Sequence, residues 1–105
     1  MICTTTETIA GREITQTLGA VTGNVVKSKH IGRDIMAGLK TIVGGEIRGY
    51  TELLSEARNV AIQRMLASAS EKGADAVVGI RFTTSAIMGG SSEIMVFGTA
   101  VKLID

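Results

Sequence analysis

Between Glu93 and Leu103 the chain alternates so that both sides of the alternation are apolar or small. Met95, Phe97, Val101 and Leu103 share one face, and Ile94, Val96, Gly98 and Ala100 share the other. Side chains on a strand alternate between the two faces of a sheet, so a strand of this kind needs cover on both. The run from Asp75 to Thr84 reads as its neighbour. Val78, Ile80 and Phe82 fall on one face, and Val77, Gly79, Arg81 and Thr83 on the other. Met88-Gly89-Gly90-Ser91-Ser92 joins the two runs as a hairpin loop.

The spacing before the hairpin predicts a long helix, from about Tyr50 to Lys72. Tyr50, Leu53, Leu54, Ala57, Val60, Ala61 and Met65 form one apolar stripe, with Glu52, Glu56, Arg58, Gln63 and Arg64 mainly opposite. Glu52 in the first turn and Lys72 in the last suit the helix dipole. Gly73 supplies a left-handed stop. Earlier, Glu13 to Val26 is rich in Thr, Val and Ile and reads as a strand. Its Gly19 and Gly23 lie four apart, which marks a bend or a place where another backbone comes close, a neighbouring subunit's among them. Ile31, Ile35 and Leu39 fit one face of a short helix, and Thr41 to Gly49 a glycine-rich turn.

The fold class is therefore α+β: one domain over residues 1–105, with a small antiparallel or mixed sheet packed on one long helix in a β-α-β-β core. One helix covers one sheet face. The second cover is either the short helix or a neighbouring subunit, and the subunit is favoured. Composition agrees, because the chain is 45% apolar but holds only Tyr50, Phe82 and Phe97 as aromatics. Aliphatic cores of this size bury modest area per residue, so burial between copies adds stability. Gly19, Gly23 and Gly98 form the small-residue face expected to meet a neighbour.

The charge balance, 11 basic against 10 acidic residues, gives no long-range field for nucleic acid or anionic lipid. Lys27, Lys29, His30 and Arg33 form the densest basic cluster, and without aromatic partners nearby it reads as a solvated loop. The longest uncharged run, Ile14 to Val26, is polar in part and shorter than the ~20 apolar residues of a spanning helix. A lone cysteine excludes an intrachain disulfide and points to the cytoplasm. Met1 to Glu7 lacks the basic and apolar regions of a secretory signal. The expected partner is thus the chain itself, with no nucleic acid and no membrane.

Four blocks carry a family resemblance: GAVTG (Gly19 to Gly23), GRDIMAGLKTIVGGEIRGYTELLSEAR (Gly32 to Arg58), GADAVVGIRF (Gly73 to Phe82) and GTAVKL (Gly98 to Leu103). In this order and at this spacing they resemble the YbjQ-like family, small bacterial and archaeal proteins often labelled heavy-metal-binding domains, whose biochemical activity is not established. The resemblance covers nearly the whole chain. It implies a dodecin-like subunit that assembles into a ring-shaped homopentamer. The five-fold count comes from the resemblance alone.

The chemistry-bearing residues are sparse. Soft-metal sites are built from three or four Cys, His or carboxylate ligands. This chain has one Cys, one His and five Met, with no CxxC and no HxxxH. Five symmetry copies of Cys3 or His30 match tetrahedral coordination poorly, and Met65 and Met95 read as core filler. No GxSxG elbow is present, and no carboxylate pair stands out, so no enzymatic activity is expected. The more suggestive region is Arg33-Asp34 followed by Gly44, Gly45, Glu46 and Arg48. Successive glycines before a helix expose backbone N–H groups to an anion, and Arg33 and Arg48 add bidentate donors. A tight turn with Arg33 and Asp34 in an ion pair is the plainer account of the same residues. The sequence thus reads as an oligomeric binding or scaffold module that takes a small anion or metabolite at subunit junctions. The alternative is binding of a divalent or soft metal through Cys3 or His30.

Overall fold

The structure, a computed structural model, describes residues 1–27, 48–87 and 91–104. One long helix, α1 (Arg48–Glu71), lies on a four-stranded sheet of β1 (Ile2–Cys3), β2 (Glu13–Lys27), β3 (Ala76–Ile87) and β4 (Ser91–Ile104). The strand order is β1-β3-β4-β2. β4 runs antiparallel to both β2 and β3, while β1 runs parallel to β3. The expected α+β class, mixed sheet and single long helix are all present. The short helix expected over Ile31 to Leu39, most of the glycine-rich turn, and residues 88–90 of the hairpin loop lie outside the described residues.

α1 forms where the apolar stripe lies. Ala57, Ala61, Met65 and Ala69 recur every fourth residue and are fully buried, while Glu52, Glu56, Arg58, Gln63 and Arg64 are exposed. The helix starts two residues earlier than the stripe suggests. Glu52 therefore sits beyond the first turn and Lys72 beyond the last, so neither end carries the expected compensating charge. The C-terminus is closed by backbone instead. Gly73, at φ 78°, donates to Ser70 O at 2.9 Å, and Ala74 donates to Ala69 O at 3.1 Å. That paired pattern satisfies carbonyls the helix would otherwise leave open. The Asp75 carboxylate then accepts from the Leu103 N–H at 2.9 Å, fixing the helix exit to β4.

The stripe is built of small residues because α1 comes very close to the sheet. A Cβ placed on Gly23 would overlap the Ala61 carbonyl oxygen and lie 2.5 Å from the Met65 backbone nitrogen. The close approach foreseen at Gly23 therefore comes from the chain's own helix, not from a neighbouring subunit. Gly98 is likewise taken up internally, with a Cβ there meeting Val77, Ile80 and the Val78 carbonyl at 2.8–3.0 Å. Gly19 has open space around it. Its φ of 111° belongs to one of two irregularities in the β2–β4 register, between Thr17 and Gly19. The bend expected in this strand is there.

β3 departs from the simple alternation. Its register with β4 jumps from Val78↔Thr99 to Arg81↔Phe97, which places one extra residue on β3 beside Gly79 at φ 62°. The extra residue reverses the faces on either side of it. Val77 and Ile80 join the core under α1, while Ala76 and Val78 face away. Grouping Val78 with Ile80 and Phe82, as strict alternation requires, is therefore corrected by the bulge.

On β4 the alternation holds, and α1 covers the Ile94, Val96, Gly98 and Ala100 side. The opposite side has its own small cluster of Ala76, Val78 and Val101, against which Ile9, Ile14 and Leu103 pack. Part of the second face is thus covered by the N-terminal segment, a cover the strand patterns did not reveal. The cover stops short of Phe97, midway along β4, which is exposed.

Because Gly23 admits no side chain without displacing helix backbone, Gly23→Ala is expected to destabilise the fold by roughly 2–4 kcal/mol. A urea midpoint indistinguishable from that of the unmodified protein would refute the close contact.

Candidate functional site

Arg33, Asp34, Gly44, Gly45, Glu46 and His30 lie outside the described residues. Arg48 is the first described residue of α1. Cys3 sits in β1 opposite Val77, half-buried, and packs against the main core. It behaves as a small apolar residue there. Among the described residues no group of three or more His, Cys, Asp or Glu side chains is placed to hold a metal ion.

The N-terminal arm is the feature that sequence reasoning missed. After β1 the chain stays against β3: Thr4 donates to Val77 O, and Gly79 and Ile80 donate to Thr6 O and Thr4 O, at 2.8–3.0 Å. Arg81 holds the arm down, its guanidinium donating to Thr5 O at 2.9 Å and to Ile80 O at 2.7 Å. The threonines brace the turn that follows. Thr6 Oγ1 donates to Thr8 O at 2.6 Å and lies 2.9 Å from Thr4 Oγ1. Two sequence signals bore on this arm, the β-favouring Thr4-Thr5-Thr6 run and the lone charge of Arg81 within a strand.

A second polar group lies on the outer edge of β2. Arg64, reaching down from α1, donates to the Asn24 carbonyl at 2.7 Å, and Asn24 Nδ2 donates to Glu93 at 3.0 Å. Beyond these, the hairpin is poorly covered from its middle to its tip. α1 runs over β2 and β4 and scarcely touches β3. Phe82 on the helix side of β3 therefore keeps 43% of its surface exposed, and Phe97 on the opposite side keeps 38%. Val26 and Ile87 are exposed nearby. The largest fully buried side chains are Met65, Val77, Val96 and Val101, with no aromatic ring among them.

These features define a two-layer α+β domain with two exposed rings, Phe82 and Phe97, midway along its hairpin on opposite faces. No helix among the described residues is long and apolar enough to cross a membrane. The chain belongs to the YbjQ family, whose model, described as "Putative heavy-metal-binding", matches residues 1–104. It is 81% identical over 103 residues to a UPF0145 protein of Psychromonas ingrahamii, with 98% of each chain covered. It is 71% identical over all 105 residues to a UPF0145 protein of Vibrio parahaemolyticus, covering 100% of both. A UPF0145 protein of Thermotoga maritima is 58% identical over 103 residues, with 98% of this chain and 97% of that one covered. Among solved structures, a protein of unknown function from Pediococcus pentosaceus assigned to the DUF74 family shares the fold. It matches at TM-score 0.61 and 17% identity, over 99% of this chain and 98% of that one.

Arg81→Ala removes both bonds that pin the arm. It is expected to cost about 1–3 kcal/mol and to speed amide exchange at Gly79 and Ile80 more than at Thr83. Uniform protection across β3 in the variant would show that Arg81 does not hold the arm.

Proposed function

We propose that this protein is a self-assembling binding or scaffold module, with no catalytic role of its own. The observation that carries the reading is the pair of exposed rings midway along the hairpin, one on each face. An aromatic side chain buries 150–250 Å² when fully covered, and at ~25 cal/mol per Å² the exposed share of two rings is a sizeable reserve for association. The chain places its only two phenylalanines where its own helix does not reach, and keeps aliphatic side chains in its core. The family resemblance supplies the count, a ring of five copies, and the chain is expected to act in the cytoplasm.

Within that assembly, the ligand we propose is a small anion or metabolite bound at subunit junctions by Arg33, Asp34, Gly44, Gly45, Glu46 and Arg48. What supports it is the sequence pattern, Gly44-Gly45 shortly before the helix that holds Arg48, because successive glycines before a helix can expose N–H groups to an anion. The alternative is binding of a soft or divalent metal through Cys3 or His30, supported by the description of the matching family model. Against it stands the half-buried position of Cys3 within the apolar packing of β1.

Native mass spectrometry of the purified protein is expected to show a closed oligomer at micromolar concentration, and a stable monomer would overturn the reading. Arg48→Ala should weaken binding of inorganic phosphate at least about tenfold, a loss of one charge-assisted contact. Cys3→Ser with His30→Ala should leave zinc and copper uptake unchanged, and loss of uptake in that double variant would favour the metal reading.

A further inference from the structure

The N-terminal arm passes from one face of the sheet to the other around the edge of β3. At one end Cys3 lies beside Val77 and packs on the core under α1. At the other, Ile9 packs on Ala76, Val78 and Val101, on the reverse face. The stretch between these anchors, Thr4-Thr5-Thr6-Glu7-Thr8, is polar throughout. The arm is thus held by an apolar side chain on each face and meets the edge itself through backbone.

The edge is shaped to receive it. In a regular strand successive N–H groups point to opposite neighbours. At the β3 bulge two in succession point the same way: Gly79 donates to Thr6 O at 2.8 Å, and Ile80 to Thr4 O at 3.0 Å. Thr4 in turn donates to Val77 O at 3.0 Å. The Arg81 guanidinium takes the intervening carbonyl, Thr5 O, while also holding Ile80 O. Three successive carbonyls of the arm therefore accept from three successive residues of β3. Beyond Ile9 the chain reverses at Gly11, φ 77°, where Arg12 donates to Ile9 O at 3.1 Å. Glycine crosses positive φ at little cost, so the chain can swing there with the least strain.

We infer that residues 2–9 form a clasp that opens and closes as one unit on an otherwise intact fold, with Gly11 as its hinge and Arg81 as its latch. β1 is a parallel pairing two residues long, shorter than strands that persist by their own ladder. It stands only while the bulge bonds, the latch and both anchors are in place, so these contacts are made and lost together. The β2–β4 and β3–β4 ladders and the packing of α1 on β2 and β4 are made by other residues, and they survive the release of the arm. Segments held in this way open at a lower free energy than the whole fold. Opening frees two adjacent backbone donors and a guanidinium, and uncovers part of both apolar faces, in a single step.

Amide exchange on the unmodified protein tests the clasp directly. Thr4, Gly79 and Ile80 are expected to share one protection factor to within about threefold, at least about tenfold below that of Ala61 and Met65 in α1. Ile9→Ala then loosens the anchor on the reverse face. It is expected to lower protection at Thr4 and Ile80 by the same factor, about fivefold or more, with Ala61 and Met65 unchanged. Equal protection of the arm and α1 amides would make the arm an inseparable part of the fold and overturn the clasp. Three unrelated protection factors in the unmodified protein, or a Thr4 amide unmoved by Ile9→Ala, would also overturn it, because the contacts would then break one by one.

Discussion

The backbone contact between α1 and β2 is the constraint on which the rest depends. Gly23 brings the strand against the helix turn holding Ala61 and Met65. At that separation only small side chains fit between the two, which is why the helix stripe alternates alanines with a single Met65. The contact also places α1 over β2 and β4, away from β3. A helix centred over the sheet would have covered Phe82. This one leaves Phe82 exposed midway along the hairpin.

Two covers on opposite faces follow from that placement. Under α1 the core runs from Val21 and Val25 through Ile94 and Val96 to Val77 and Ile80. On the reverse, the N-terminal segment folds back so that Ile9 closes over Ala76, Val78 and Val101. Arg81 and the Thr4–Thr6 arm hold that segment in place. The bulge at Gly79 sorts Val77 and Ile80 to one core and Val78 to the other. Without the extra residue, Ile80 would face away from α1 together with Val78.

Family membership and fold point the same way and say little about chemistry. The relatives at 58–81% identity are named only as UPF0145 proteins, and the structural likeness at 17% identity speaks to fold alone. What the molecule itself contributes is a polar arm pinned along the first half of β3 and two exposed phenylalanines on opposite faces of the hairpin.

Local order was legible in the residues. The four-residue spacing of Ala57, Ala61 and Met65 specified α1, Gly73 specified its end, and the alternation from Glu93 to Leu103 specified β4, because each signal is carried by neighbours along the chain. The candidate site could be read only as a pattern of glycines and arginines, and of its residues only Arg48, in α1, lies among those described. What tertiary structure alone decided were the pairings between distant segments. It chose which face of β4 the helix takes, reversed the faces of β3 at Gly79, turned Gly23 toward the chain's own helix, and joined Ile2 and Cys3 to a strand more than seventy residues away. Those outcomes depend on register and close approach between separate stretches of chain, and no periodicity within one stretch encodes them.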